Sequence, residues 1–247
     1  MNAPALIALA HGSRDPRSGR TVREIVATTK RLRPEVRVEA AFLDHNAPSL
    51  DTVVDRLVAK GYDEVVVVPL LLTSAYHAQV DVPAAIERAG MRHAGVSVRA
   101  AELIGPEPTL LGVLDLRLRE ALRSARVSEL DALVLASAGS SDARANATIA
   151  RLARLWAAQH HLPASVAYAS ASAPSTGEAV RDWRRQGRRH VAVGSLFIAP
   201  GMLPDRAAEL ALEAGACAVS APLGPHEEIS RIVLARYSVS ALQLVEV

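Results

Sequence analysis

Ala8-Leu9-Ala10-His11-Gly12-Ser13-Arg14-Asp15 returns in altered form as Leu135-Ala136-Ser137-Ala138-Gly139-Ser140-Ser141-Asp142. Three more stretches return in the same order. Ala41-Phe42-Leu43-Asp44-His45-Asn46-Ala47-Pro48-Ser49 is answered by Ala167-Tyr168-Ala169-Ser170-Ala171-Ser172-Ala173-Pro174-Ser175. Val66-Val67-Val68-Pro69 is answered by Val191-Ala192-Val193-Gly194, and Leu103-Ile104-Gly105-Pro106 by Pro222-Leu223-Gly224-Pro225. The offset shrinks slowly along the chain, as one duplication followed by short deletions in the second copy would leave it. A period this long describes two similar domains, not a solenoid. The copies are expected at 1–126 and 127–247, with the seam near Ser124 to Glu129.

Each copy alternates short apolar runs with longer amphipathic ones. The first predicts strands near 5–10, 36–43, 64–70 and 97–103, and helices near 18–32, 49–60, 79–90 and 107–124. Arg33-Pro34, Lys60-Gly61 and Ala89-Gly90 stand where helices should stop. The second copy predicts strands near 132–137, 164–169, 190–196 and 217–221. Valine-rich runs such as Val65 to Leu72 suit strands buried on both faces, and the βαβα alternation suits a parallel sheet with helices on each side. The expected fold is therefore α/β: two similar doubly wound parallel-sheet domains in tandem.

Composition supports a folded chain and excludes several functions. In 247 residues, 50% are hydrophobic and 22% charged. Mean hydropathy is +0.16, which does not fit a disordered chain. A chain of this length buries roughly 70–75% of its unfolded surface, enough for one large core or two small ones. Aromatics at 3% leave little for stacking single-stranded nucleic acid, and a net charge of +2 gives no field suited to DNA. Neither a nucleic-acid partner nor a membrane is expected. One cysteine, Cys217, rules out an intramolecular disulfide framework and a thiolate metal cluster. The N-terminal apolar run lacks a basic flank and ends at once in His11-Gly12-Ser13, so the expectation is a cytoplasmic protein.

A duplication carries its own control. Gly12, Ser13 and Pro48 recur as Gly139, Ser140 and Pro174, which assigns them to the backbone. Three residues do not recur: His11 becomes Ala138, Asp44 becomes Ser170 and His77 becomes Met202. Each loss replaces a side chain that binds metal or carries protons with one that does so poorly. The three are expected at the ends of successive strands, where open parallel sheets bind ligands. With strand order 2-1-3-4 those ends are neighbours, about 4.8 Å apart. His45 is a further possible ligand or a loop residue; His93, His160, His161, His190 and His226 fit no constellation.

Ala10-His11-Gly12-Ser13-Arg14-Asp15-Pro16, Phe42-Leu43-Asp44 before Pro48, and Val68-Pro69-Leu70-Leu71-Leu72-Thr73-Ser74-Ala75-Tyr76-His77 with Asp81-Val82-Pro83 resemble the sirohydrochlorin chelatases. These class II enzymes place cobalt or iron in a tetrapyrrole. The length and degenerate second half resemble the long, duplicated form. The resemblance implies a chelatase-like fold, with His11 and His77 as the metal-handling and catalytic pair. The third position, often glutamate in the family, is Asp44 here, one methylene shorter.

Metal insertion must remove two pyrrole protons, strip water from the ion and deliver it to the ring. Neutral imidazole binds Fe²⁺ or Co²⁺ and, with a pKa near 6.5, accepts a proton at working pH. The metal is then a substrate, with no resident cofactor expected. Sirohydrochlorin carries eight carboxylates, so Ser13, Arg14, Thr73 and Ser74 are candidate substrate contacts beside a helix N-terminus. A histidine phosphatase would need an arginine before its histidine, where this chain has Ala10. Gly-x-Ser-x-Gly, Gly-x-Gly-x-x-Gly, Walker and His-Glu-x-x-His motifs are absent. A non-catalytic metal or tetrapyrrole carrier would use the same histidines, and the sequence leaves it open. Cobalt against iron, and the cobalamin against the sirohaem pathway, stay open as well.

Overall fold

The computed structural model describes residues 3–73 and 80–245. Its elements run β1 (Ala5–Ala10), α1 (Pro16–Leu32), β2 (Val38–Phe42), α2 (Leu50–Val58), β3 (Glu64–Pro69), α3 (Val82–Met91), β4 (Ser97–Ala100) and α4 (Leu110–Ser124). The second series is β5 (Ala132–Ser137), α5 (Ala143–His160), β6 (Ala164–Tyr168), α6 (Thr176–Arg185), β7 (Val191–Ser195), α7 (Met202–Glu213), β8 (Ala218–Val219) and α8 (Glu227–Val245). The expected strands form: β1 and β5 over the expected residues, the other six shortened at their ends. The last is cut to two residues, because only Ala192 and Val193 offer it partners.

Two parallel sheets result, ordered β2-β1-β3-β4 and β6-β5-β7-β8. In the first, Leu9 pairs with Ala41 on one side and Pro69 on the other. All six residues of β1 are buried, as are Val65 to Val68 of β3. Strand side chains alternate between faces, so a sheet covered on both sides needs apolar residues at every position. Ile7, Leu9, Val65 and Val67 face α2 and α3, packing on Val53, Val54, Val82 and Ala85. In the second sheet Val134, Ala136, Val191 and Val193 pack in the same way on Ala179, Val180 and Ala211 of α6 and α7.

Compact packing follows a different partition from the repeat. One unit is Met1–Gly105 together with Pro225–Val247; the other is Pro106–Gly224. Helix α8, last of the second repeat, therefore closes the first sheet, against α1 and β3. The Tyr237 hydroxyl donates to Pro4 O at 2.7 Å, Arg236 Nε to Leu103 O at 3.0 Å and Ser230 Oγ to Ile25 O at 3.2 Å. Helix α4, last of the first repeat, packs in the second unit on β7 and β8. There buried Asp115 accepts from Trp156 Nε1 at 2.7 Å and Gln159 Nε2 at 3.2 Å, and meets His160 Nε2 at 2.8 Å. Gly194 keeps this face flat: a Cβ there would stand 2.7 Å from the Trp156 ring. Among the described residues, no helix is long and apolar enough to cross a membrane.

Candidate functional site

The first sheet carries its chemistry at the carboxyl ends of β1 and β2. His11 follows β1 directly, and Asp44 and His45 lie just past β2. Backbone bonds continue the pairing beyond the strands. Leu43 N–H donates to Ala10 O at 3.0 Å, Asp44 N–H to His11 O at 2.9 Å and Asn46 N–H to Asp44 O at 2.7 Å. The loop closes through a cis Ala47-Pro48 bond, and Phe42 N–H donates to Pro48 O at 3.0 Å. Gly12 makes this approach possible. Its φ is +98°, and a Cβ would lie 1.8 Å from Asp44 O, so no other residue fits without moving the loop.

The turn into α1 is equally specified. Asn46 Oδ1 accepts from Ser13 N–H at 2.8 Å, and Ser13 Oγ accepts from Asp15 N–H at 3.1 Å. Asp15 caps α1 by accepting from Arg17 N–H at 2.8 Å, with proline at the first helical position. The Arg17 guanidinium grips the same carboxylate and holds its pKa below the usual aspartate range. Ser13 thus has a backbone role, shared by Ser140, while its O–H stays able to donate elsewhere. Arg14 is exposed in the loop, and Thr73 is half-buried in the bend after β3.

The structure brings His11 to the Asp44–His45 loop. The His11 and His45 ring centroids are 6.4 Å apart, with planes inclined by 51°. His11 Nδ1 meets Gly12 O at 3.2 Å. Asp44 Oδ1 accepts from His45 N–H at 2.7 Å, and Oδ2 lies 3.4 Å from His45 Nε2. His77 and Ser74 lie outside the described residues. Leu70 N–H donates to Leu9 O at 2.8 Å, so the chain leaves β3 beside β1, next to His11. Among the described residues, no group of three His, Cys, Asp or Glu side chains is placed to hold a metal ion.

The second sheet repeats the frame without the donors. Ala169 N–H donates to Ser137 O, Ser170 N–H to Ala138 O, Ser172 N–H to Ser170 O and Tyr168 N–H to Pro174 O, at 2.9, 2.9, 2.7 and 2.9 Å. Gly139 has φ +83° and Ala171 φ +59°, against +62° for His45, and Ala173-Pro174 is also cis. Ala138, Ser170 and Ala171 stand where the first copy has His11, Asp44 and His45. Met202, the counterpart of His77, opens α7 with 78% of its surface exposed.

These features define a duplicated chelatase-like α/β protein in which, among the described residues, His11, Asp44 and His45 stand at the carboxyl edge of the first sheet and Ala138, Ser170 and Ala171 at that of the second. The CbiX family model matches residues 5–121 and 132–240, once for each repeat, and the chain belongs to that family. It is similar to the sirohydrochlorin cobaltochelatase of Priestia megaterium, with 29% identity over 209 residues covering 83% of this chain and 68% of that protein. The sirohydrochlorin ferrochelatase of the same organism is 24% identical over 237 residues, covering 93% and 87%. Among solved structures, SirB from Bacillus subtilis with Fe³⁺ shares the fold at TM-score 0.77, with 22% identity over 96% of this chain and 95% of that one. The structure of CbiX, the terminal enzyme for siroheme biosynthesis in denitrifying bacteria, gives TM-score 0.70 at 19% identity, covering 96% and 99%.

Proposed function

We propose that the chain is a sirohydrochlorin chelatase that inserts Co²⁺ or Fe²⁺ into the tetrapyrrole, with His11 and His77 as the metal-handling and catalytic pair. The observation that carries this reading is the stripped copy. One backbone frame occurs twice, and it bears His11, Asp44 and His45 in the first sheet against Ala138, Ser170 and Ala171 in the second. The frame does not require those side chains, so their presence in the first copy serves something other than folding. The family and the names of the relatives supply the reaction.

Insertion exchanges one divalent ion for the two protons of the pyrrole nitrogens. Neutral imidazole suits both halves of that exchange: it holds a first-row ion without the grip of a thiolate, and it takes up a proton. Asp44 orients or completes the set. Arg14, Ser13, Thr73 and Ser74 offer cationic and hydroxyl contacts to the substrate's carboxylates, whereas the N–H groups opening α1 are already taken up by Asp15. The metal and the tetrapyrrole are both substrates, and no resident cofactor is part of this scheme.

The test is a spectral assay of the full chain with sirohydrochlorin and Co²⁺ or Fe²⁺, run singly and in competition. Many turnovers per chain are expected, and His11→Ala and His77→Ala are each expected to abolish insertion while the melting curve keeps its shape. A stoichiometric spectral shift without turnover would instead identify a carrier. Near-normal insertion by both variants would remove the two histidines from the mechanism.

A further inference from the structure

The resemblance assigns roles to His11, Asp44 and His77 and none to His45. We propose that His45 is a metal ligand: with His11 it forms a two-imidazole site that captures the incoming divalent ion, and Asp44 is its positioning residue. The inference rests on the insertion reading for its biological purpose, and on the loop geometry for its substance.

Distance comes first. A metal–nitrogen bond of about 2.0–2.1 Å places each ring centroid about 3.2 Å from the ion. Two imidazoles on one ion then have centroids about 4.5 Å apart at a right angle and about 6.4 Å apart when opposed. The observed 6.4 Å lies at the open end of that range.

The contacts bear on the ring nitrogens of the pair. Gly12 O can only accept, so in that contact His11 carries its proton on Nδ1, and Nε2 is the nitrogen with the lone pair. The Asp44 carboxylate likewise favours the proton on His45 Nε2, leaving Nδ1 with a lone pair. A carboxylate fixing the tautomer and ring orientation of a liganding histidine is a recurrent outer partner in metal sites. Asp44 is already engaged inside its own loop through His45 N–H, which leaves the imidazole as the outward donor.

Ala171 supplies the control. It adopts φ +59° at the position of His45, with no polar side chain to stabilise it. The left-handed turn therefore needs no histidine, and the His45 imidazole is not there to shape the loop. Water would fill the remaining positions on the ion, leaving them open for exchange with the pyrrole nitrogens.

The experiment titrates Co²⁺ alone, without tetrapyrrole, into the full chain and into His11→Ala, His45→Asn, His45→Ala and Asp44→Asn, by calorimetry and by the cobalt absorption band. Asparagine tolerates positive φ and Ala171 shows that alanine adopts it, so at least one His45 variant folds. Both His45 variants and His11→Ala are expected to weaken Co²⁺ at least tenfold. With Zn²⁺, histidine ¹⁵N spectra are expected to show His45 Nδ1 and His11 Nε2 metallated. Asp44→Asn is expected to shift the His45 tautomer signature before metal is added, an effect absent from a merely structural loop residue. If His11→Ala loses Co²⁺ while both His45 variants keep it, or if His45 nitrogens do not respond to Zn²⁺, the proposal is overturned and the insertion reading stands. Failure of the wild type to insert metal, scored in the separate tetrapyrrole assay, would overturn the insertion reading and not this one.

Discussion

Gly12→Ala, with Gly139→Ala as its internal control, separates what the loop frame does for folding from what it does for metal. An added Cβ would sit 1.8 Å from Asp44 O in the first case and 2.2 Å from Ser170 O in the second. Ordinary contact needs well over 3 Å, so each loop has to retreat by about 1 Å, and flexible side chains cannot absorb that, because the opposing atom is backbone. Alanine held at φ +98° or +83° adds about 1–2 kcal/mol of backbone strain. The retreat stretches one interloop hydrogen bond, worth about 1 kcal/mol. Each variant is therefore expected to lose about 2–3 kcal/mol, a fall of roughly 4–12 °C in Tm for a chain of this size. The two should look alike in a melting experiment. They should differ in Co²⁺ titration and in insertion, because only Gly12→Ala displaces the loop that carries Asp44 and His45. Gly139→Ala impairing insertion as severely as Gly12→Ala would refute this division. An unchanged Tm in Gly12→Ala would refute the close-approach argument itself.

Three more perturbations have definite outcomes. Asp115→Ala takes the acceptor from buried Trp156 Nε1, Gln159 and His160 together, and is expected to cost about 2–4 kcal/mol by chemical denaturation without touching the metal loop. Ser175→Ala removes the capping box of α6, in which Ser175 and Glu178 satisfy each other's backbone N–H groups; a loss of about 1 kcal/mol, with faster amide exchange in the first turn, is the expected result. The His93 hydrogen bond, followed by Arg92, lowers the Asp55 pKa and so clasps α2 to the end of α3. A lowered folded-state value means the clasp stabilises fully above the ordinary aspartate range and is lost as pH falls through the folded value. The protection of α2 amides, taken relative to their intrinsic exchange rate at each pH, should therefore fall on acidification in the wild type, and far less so in Asp55→Asn.

Much of the fold is legible because its signals are local. Valine runs such as Val65 to Val68 specify strands buried on both faces, and Arg33-Pro34 and Lys60-Gly61 end helices through backbone chemistry. The order β2-β1-β3-β4, which the sequence reading only supposes, is fixed by strand pairings between distant segments that no local signal encodes. The exchange of α4 and α8 between units is not legible, since both helices are amphipathic and either sheet offers a valine-lined face. Of the site, His11 and Asp44 announce themselves by being lost from the second copy. His45 gives the same signal, becoming Ala171, yet in sequence it reads equally as a loop residue. Only the 6.4 Å approach to His11, across 33 intervening positions in the chain, distinguishes the two readings. Ser13 shows the opposite limit. Its hydroxyl suggests substrate contact from the sequence, while the matching bond from Ser140 shows a turn-forming role common to both copies.

The exchanged helices also set an order of assembly on the ribosome. Pro106–Gly224 is one unbroken stretch, so the unit around the second sheet has all its residues as soon as Gly224 has emerged. The donor-bearing unit must wait for α8, which ends at Val245, a lag of about 1–4 s at a synthesis rate of about 5–20 residues/s. Until then its first sheet lacks the cover that Tyr237, Arg236 and Ser230 fasten in place. A chain that stalls before α8 thus has every residue of the second sheet's unit and an incomplete first one. Completion of the first sheet's unit is tied to the emergence of α8.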